Sequence, residues 1–365
     1  MSNYSFIAIA DMHLGCKLYN LPELEQDMKD LFVDICDIAI AKKVDYLLIG
    51  GDLFNNNKPT PDLVNFVAEQ IKRLKESGVS TLGICGDHDL PVNDTTWMRV
   101  SGIQPVLPAE NNIPYFVGVD YNIDQQEVMN KVIACASKDV HWIMLHGQVQ
   151  QLFKFVEEKK KLDFSNIKLF ELFPNLKGIV LGDIHNGAEM VITSGSKEAY
   201  MGYCGSPGIT KSDEINNKKG LLYYDGSKLS RLSLPQKRDF IKISFVGPTP
   251  VLNTQFYVLK YKGVKNKPVF IVEYDSDTEY QLTLLKPLYE VGFVKPSQTR
   301  KLEEGQVEET INIRSELRTA DRIESVLRKN AKSESVFNLG FSLLTSEDNN
   351  ETYRAILDNF KTKAL

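Results

Sequence analysis

The chain has 365 residues, of which 25% are charged and 42% are hydrophobic, and its formal net charge is −5. This composition is typical of a globular protein with two or three domains, and it excludes collagen-like, coiled-coil and disordered chains. The negative balance excludes a general attraction to nucleic acid, so polyanion binding would need a local basic patch or metal ions.

The cysteines and the apolar runs favour a cytoplasmic protein without membrane contact. The five cysteines are scattered, odd in number and without a C-x-x-C pair, which indicates reduced thiols. No apolar run approaches the roughly 18 residues that cross a bilayer. The residues before the first apolar run lack the basic segment of a secretory signal.

Strand-like and helix-like segments alternate in the first half of the chain. Apolar residues recur at three-to-four spacing over about Pro22–Lys42, and Pro61 and Gly78 frame a second helical pattern that ends near Ser77. The apolar runs that predict buried strands are Phe6–Ala10, Tyr46–Ile49, Thr81–Cys85, Trp142–Leu145 and Gly178–Leu181. Buried runs separated by helices predict a layered α/β domain.

Helical patterns become rarer after about Leu181. The next segments that predict strands are Glu198–Tyr203, Gly220–Tyr224 and Leu229–Leu234. The segments that resemble a smaller α+β domain are Phe240–Phe245, Gln255–Lys262, Pro268–Tyr274 and the helical Glu279–Val291. A basic amphipathic helix is predicted over Arg314–Lys332, and a terminal helix over Asp348–Lys363. We therefore predict three parts, residues 1–236, 237–332 and 333–365.

Each of the five apolar runs in the first domain is followed at once by side chains that can bind metal ions. These side chains are Asp11 and His13, Asp52, Asp87, His88 and Asp89, His146, and Asp183 and His185. Ligands collect beyond the carboxyl ends of the strands in an open α/β sheet, so we expect the five endings to meet in one cleft. Among the histidines only His141 lies outside them, and it is expected to be a packing residue.

Each motif taken alone also has a structural explanation. An aspartate after a strand is commonly a helix cap or a turn former, and a single buried histidine such as His146 is more often a core residue than a ligand. The joint pattern favours metal binding. Carboxylate and imidazole ligands without thiolate suit Mn²⁺, Fe²⁺ or Zn²⁺, and their number exceeds the need of one ion. The pattern predicts a two-ion site that hydrolyses a phosphoester.

These motifs resemble those of the calcineurin-like metallophosphoesterases and, more narrowly, of the SbcD-type DNA repair and recombination nuclease subunits, phage recombination endonuclease subunits included. The narrower resemblance rests on D-M-H-L-G at 11–15, G-D-L-F at 51–54 with K-P-T-P at 58–61, G-x-I-H at 182–185, and Y-C-G-S-P at 203–207. It covers about residues 4–235. It implies a two-layered β-sandwich flanked by helices, with a smaller α+β cap domain and a C-terminal helical segment.

The resemblance also implies a role for each site residue and a cofactor of two divalent ions, Mn²⁺ or Mg²⁺. The implied ligands are Asp11, His13 and His185 for the first ion, Asp52 for both ions, and Asp87, His146 and Asp183 for the second ion. His88 would stabilise the transition state or protonate the leaving oxygen, and Asp89 would orient His88.

Three positions depart from the family's pattern. Asp87 stands where the family usually has Asn, Asp183 where it usually has His, and Asn55 where it often has Asp. We hypothesise that the two added carboxylates bind a second ion that prefers oxygen ligands, such as Mn²⁺ or Mg²⁺. Because their negative charge offsets the charge of the ion, the pKa of its bound water would be lowered less, which would raise the pH optimum of the reaction. The alternative is that Asp183 is not a ligand and the second site is weak.

The resemblance implies DNA as the substrate, an SMC-like ATPase of the SbcC type as the partner, and a homodimer with exonuclease and endonuclease activity. Lys17, Lys58 and Lys211 lie near the motifs, where they are DNA contacts or solvated surface lysines. The same two explanations apply to the basic stretch Arg314–Lys332. The apolar segment Val336–Phe360 would either dock on the partner or fold back on its own cap.

Two other functions stay open. One is a phosphoesterase that acts on small phosphoesters or cyclic nucleotides, and the Y-C-G-S-P segment and the long chain beyond residue 236 disfavour it. The other is a catalytically weakened DNA-binding scaffold subunit, which the retained His88 and Asp89 disfavour. We therefore predict a metal-dependent DNA nuclease subunit of a recombination and repair complex.

Overall fold

The computed structural model describes residues 4–91, 95–106, 115–152, 160–217, 219–245, 253–274 and 284–298. These residues belong to one compact unit, Met1–Thr299. The helices expected over Arg314–Lys332 and Asp348–Lys363 and the segment 333–365 lie outside the described residues. Among the described helices, none combines the length and the apolar character needed to cross a bilayer.

The helices and strands alternate in the first half of the chain, as the sequence predicts. The helices are α1 (Pro22–Lys42), α2 (Pro61–Glu76), α3 (Trp97–Val100), α4 (Gln125–Ala134), α5 (Leu169–Leu172), α6 (Thr254–Tyr261) and α7 (Lys286–Val291). The strands of the first half are β1 (Phe6–Ile9), β2 (Tyr46–Gly50), β3 (Ser80–Ile84), β4 (Gln104–Pro105), β5 (Phe116–Gly118), β6 (Trp142–His146), β7 (Gln148–Val149), β8 (Lys161–Leu162) and β9 (Gly178–Gly182). The later strands are β10 (Glu189–Ser194), β11 (Lys197–Tyr203), β12 (Gly220–Tyr224), β13 (Leu229–Ser233), β14 (Phe240–Phe245), β15 (Val269–Tyr274) and β16 (Phe293–Gln298).

Two sheets form the main part of the fold. One has six strands in the order β13-β12-β1-β2-β3-β4, and the other has five in the order β10-β11-β9-β6-β5. Strands β1 to β4 are parallel to one another, as are β5, β6, β9 and β11. The strands whose ends carry the candidate ligands are divided between the two sheets: β1, β2 and β3 belong to one sheet, and β6 and β9 belong to the other.

The alternation of side chains along the strands explains how two sheets and their helices share one core. On β1, Phe6 and Ala8 point toward the second sheet, whereas Ile7 and Ile9 pack with the α1 and α2 side chains. On β6, Trp142 and Met144 face the first sheet, and the neighbouring residues of that strand pack with α4 on the opposite side. Apolar side chains thus cover both faces of each central strand. The predicted two-layered β-sandwich flanked by helices is confirmed.

A third sheet, the three-stranded parallel sheet β14-β15-β16, follows the two large sheets in the chain and packs with α6 and α7. Phe270, Val272 and Leu288 lie in its own hydrophobic core. The segment predicted over Gln255–Lys262 forms the helix α6, which spans Thr254–Tyr261. The three-part division of the chain remains a prediction.

A buried ion pair links Arg238, which lies just before β14, to helix α1. Arg238 donates from Nη2 to Oδ1 of Asp27 at 2.9 Å and from Nη1 to the carbonyl oxygen of Lys267 at 2.8 Å. Arg238 is 8% exposed and Asp27 9%. Val269 and Ile271 of β15 pack beside this pair against Leu24 of α1. The region of β14 and β15 therefore contacts α1 through both charge and apolar packing.

Candidate metal centre

The backbone turns sharply at the ends of the strands and brings their polar side chains into one cleft. Asp11, His13 and Asp52 have φ angles of 54°, 46° and 53°, and Asp183 has 97°. Such left-handed conformations cost about 1–3 kcal/mol each, and they persist where the surrounding structure fixes them. Here the amides of Asp11 and His13 donate to the carbonyl oxygens of Gly51 and Asp52 at 3.0 and 2.9 Å. These bonds hold the end of β1 against the end of β2.

Glycines allow the loops to approach one another at this point. A Cβ atom on Gly86 would lie 2.1 Å from Oδ1 of Asp52. A Cβ atom on Gly182 would lie 2.2 Å from the carbonyl oxygen of Gly50 and 2.6 Å from Nδ1 of His146. A larger residue at either position would displace a candidate ligand.

The first group of candidate ligands contains Asp11, His13 and His185. The Nε2 atoms of the two histidines are 3.1 Å apart. Burial holds the pKa of His13 well below its ordinary value, and the nearby His185 acts in the same direction. His13 is therefore neutral, which is the form of imidazole that binds a metal ion.

The second group contains Asp87, His146 and Asp183. Nε2 of His146 lies 3.3 Å from Oδ1 of Asp87 and 4.0 Å from Oδ1 of Asp183. Nδ1 of His146 donates to the carbonyl oxygen of Gly50 at 2.9 Å, which turns Nε2 toward the carboxylates. A hydrogen bond of this kind orients an imidazole ligand.

Asp52 lies between the two groups. Its Oδ2 atom is 3.6 Å from Nε2 of His13 and 3.6 Å from Nε2 of His146. Its Oδ1 atom accepts the backbone amide of His88 at 2.9 Å. Burial raises the pKa of Asp52 in the absence of a cation, because the charged carboxylate is removed from water. This is the position expected for a carboxylate shared by two ions.

The donor set fits divalent cations. Oδ2 of Asp11 is buried and has no hydrogen-bond partner among the described residues. A buried unsatisfied oxygen costs about 1–3 kcal/mol, and a cation beside it would remove that cost. Carboxylate and imidazole groups are ligands of Mn²⁺, Fe²⁺ and Zn²⁺. The structure brings together all seven residues that the sequence singled out as metal ligands, Asp11, His13, Asp52, Asp87, His146, Asp183 and His185.

His88 lines the same cleft, and a carbonyl oxygen orients its ring. Nδ1 of His88 donates to the carbonyl oxygen of Asn55 at 2.6 Å, which leaves Nε2 as the nitrogen that can exchange a proton. Asp89 has a different contact from the one expected. Its carboxylate accepts the backbone amides of Leu53 and Phe54, both at 3.1 Å, and so fixes the loop after β2 rather than the His88 ring.

Sequence reasoning missed Glu214, which lies behind the first group. Oε1 of Glu214 accepts from Nδ1 of His185 at 2.5 Å, and Oε2 accepts from Nζ of Lys219 at 2.8 Å and from the amide of Thr210 at 3.0 Å. Glu214 is 3% exposed. Despite its burial, the bonds from His185 and Lys219 hold the pKa of Glu214 well below its ordinary value. The only sequence signal was its position in the segment after Y-C-G-S-P.

Sequence reasoning also missed Lys160. Its Nζ atom lies 2.9 Å from Oδ2 of Asp87 and contacts Oδ1 of Asp183 as well. Nε2 of Gln148 donates to the other oxygen of Asp183 at 2.9 Å. Lys160 belongs to a run of lysines without any motif, so no sequence signal marked it.

Above the ligand groups the cleft opens to solvent. Its volume is about 110 Å³, and its lining includes His88, Lys160 and Lys211. The cleft is narrow, polar and bordered by two ammonium groups. It is suited to an anionic substrate rather than to an apolar one.

Aspartate and histidine ligands at the strand ends of two facing sheets define a metallophosphoesterase. The family described as calcineurin-like phosphoesterase matches residues 4–207, and the chain belongs to this family. It is accordingly a metal-dependent phosphoesterase.

Archaeal proteins named DNA double-strand break repair protein Mre11 are similar to this chain. The protein of Saccharolobus solfataricus is 27% identical over 306 residues, which cover 77% of each chain. The protein of Methanocaldococcus jannaschii is 22% identical over 97% of this chain and 98% of its own length. A dimetal phosphatase structure from Danio rerio covers 64% of this chain and 99% of its own length, at 11% identity and a TM-score of 0.35.

Proposed function

We propose that the chain is a metal-dependent DNA nuclease subunit of a recombination and repair complex. The observation that carries this proposal is the convergence of seven candidate ligands from two sheets, with Asp52 3.6 Å from a histidine of each group. That arrangement suits a pair of divalent ions, for which Mn²⁺ is our first candidate and Mg²⁺ the second. Bound ions supply positive charge that activates a water and offsets the charge that develops on the phosphoryl oxygens.

The residues of the chain then have distinct tasks. Asp11, His13 and His185 would bind one ion, and Asp87, His146 and Asp183 would bind the other. The carbonyl oxygen of Asn55 fixes the ring of His88 through Nδ1. Nε2 of His88 is therefore placed to protonate the leaving oxygen of a phosphodiester.

The names of the relatives support DNA as the substrate. The two archaeal relatives whose sequences align with 77% and 97% of this chain are named DNA double-strand break repair proteins. Lys211 borders the cleft and is positioned to contact a backbone phosphate. As the partner we propose an SMC-like ATPase of the SbcC type, which the resemblance of the motifs implies. We further propose that the protein acts as a homodimer in the cytoplasm. We also propose that it cleaves DNA both as an exonuclease and as an endonuclease.

The test is degradation of linear duplex DNA by the purified chain with Mn²⁺. We compare His88→Ala with His141→Ala, because His141 lies outside the cluster and pairs with the hydroxyl of Tyr4 at 2.9 Å. We expect His88→Ala to lower the rate by about 10²–10⁴-fold, whereas His141→Ala keeps the wild-type rate.

Other outcomes would contradict the proposal. If the chain with Mn²⁺ leaves DNA intact but hydrolyses bis-p-nitrophenyl phosphate, it is an esterase for small phosphoesters. If it binds DNA and hydrolyses neither substrate, it is a scaffold subunit. Equal rates for His88→Ala and His141→Ala would show that His88 takes no part in the reaction.

A further inference from the structure

One lysine pairs with both carboxylates of the second ligand group. Nζ of Lys160 pairs with Oδ2 of Asp87 at 2.9 Å and with Oδ1 of Asp183. The carboxylates of Asp87 and Asp183 are the same groups that, with His146, form the candidate metal group at this end of the cleft. The side chain of Lys160 is 19% exposed and that of Asp183 is 4% exposed, so the pair is largely withdrawn from water.

The two ends of the cleft therefore differ in charge. In the described part of the chain, Asp11 and Asp52 form no ion pair with a lysine or an arginine, and the partners of Asp52 are histidines. At the other end one ammonium offsets one of the two carboxylate charges. A metal ion would meet carboxylates without a lysine or arginine in direct contact at the first end, and a competing ammonium at the second.

We propose that Lys160 is an internal cation that competes with the second metal ion for Asp87 and Asp183. This inference rests on the proposed function in that it concerns the same metal centre. The first ion binds without displacing a charged group. The second ion binds only when the ammonium leaves the carboxylates, so the second site is much weaker than the first. This reverses the expectation that the added carboxylates alone would strengthen the second site.

The geometry explains why Lys160 competes rather than merely lying nearby. A metal ion held by Asp87, His146 and Asp183 would share Oδ1 of Asp183 with the ammonium, because this oxygen also lies 4.0 Å from Nε2 of His146. On Asp87 the ammonium contacts Oδ2, whereas Oδ1 lies 3.3 Å from Nε2 of His146. Two positive charges held by the same two carboxylates repel each other strongly, because the surrounding protein screens them less than water does. Lys160 also lines the open cleft, which gives its flexible side chain a path to solvent.

The test is a titration of the metal-free protein with Mn²⁺. Binding is measured by calorimetry and by the electron paramagnetic resonance signal of free Mn²⁺. We expect one tight and one weaker site in the wild type. In Lys160→Met, which keeps most of the length of the side chain without its charge, the second site should bind at least about tenfold more tightly, while the affinity of the first site changes less than twofold.

The control is Lys168→Met, because Lys168 pairs on the surface with Glu171 at 3.1 Å and lies outside the cluster. We expect it to retain both wild-type affinities. Lys160→Gln repeats the charge removal if Lys160→Met fails to give a cooperative thermal transition. Two equally tight sites in the wild type would overturn the proposal, as would an unchanged second affinity in the folded Lys160 variant. The titration contains no DNA, so a chain that shows these affinities without degrading DNA would refute only the nuclease function.

Discussion

Glu214 allows the metal centre to be weakened without touching a ligand. Glu214→Gln removes the negative charge that faces Nδ1 of His185 and Nζ of Lys219. The imidazole then loses a strong acceptor that fixes its orientation and its basicity. We expect the affinity for the first Mn²⁺ ion to fall by about 10–100-fold, which corresponds to about 1.4–2.8 kcal/mol.

The same substitution also affects folding. Lys219 is 8% exposed, and Glu214→Gln leaves its ammonium buried without a counter-charge. Breaking a buried ion pair in this way costs about 3–5 kcal/mol in the free energy of unfolding. The effect on metal binding must therefore be separated from a loss of stability.

The double variant Glu214→Gln with Lys219→Met separates the two effects. Removing both charges should restore most of the stability in urea unfolding, because no unpaired charge remains buried. It should leave the Mn²⁺ affinity low, because His185 still lacks its carboxylate partner. Calorimetry with Mn²⁺ measures the affinity of each variant. If the double variant recovers both properties, or if Glu214→Gln binds Mn²⁺ like the wild type, Glu214 does not position His185.

Three further predictions concern the packing of the metal centre, the ion pair between Arg238 and helix α1, and the effect of pH. Gly86→Ala places a Cβ atom 2.1 Å from Oδ1 of Asp52 and should weaken Mn²⁺ binding at least about tenfold, so an unchanged calorimetric titration would contradict it. Asp27→Ala leaves Arg238 buried without its partner and should lower the free energy of unfolding by about 3–5 kcal/mol in urea; a loss below about 1 kcal/mol would show that the pair is unimportant. Burial raises the pKa of Asp11 to about 6, so its contribution to the stability of the metal-free fold is complete below the ordinary value of 3.8 and is lost as the pH rises through about 6. Because Mn²⁺ binds the ionised carboxylate, the rise in melting temperature on adding Mn²⁺ should be greater at about pH 8 than at about pH 5, and a smaller rise at the higher pH would refute this assignment.

The sequence predicts the long helices and the central strands well, since their signals are local. Pro22–Lys42 carries a continuous apolar stripe, and the observed helix has the same bounds. The helix Gln125–Ala134 is absent from our prediction although Asp124 caps its first turn by accepting the amides of Gln126 and Glu127. The division of the strands between two sheets depends on pairing between distant segments, which no local pattern records.

The ligands at the metal centre are predictable for the same local reason, because each follows a buried strand directly. The residues that contact and orient these ligands are not predictable from the sequence. Lys160 and Glu214 reach the cluster from segments without a motif, and only the folded chain shows that they contact Asp183 and His185. Likewise, Asn55 counted in the sequence only as a departure from the family's pattern, whereas its backbone carbonyl oxygen orients His88.

The most direct test of the central claim is a crystal of the protein grown with Mn²⁺ and measured at the manganese absorption edge. We predict an anomalous difference peak bounded by Asp11, His13, Asp52 and His185, with a weaker second peak beside His146. A crystal in which these side chains surround no peak, or in which manganese binds elsewhere on the chain while the cluster stays empty, would contradict the proposed metal centre.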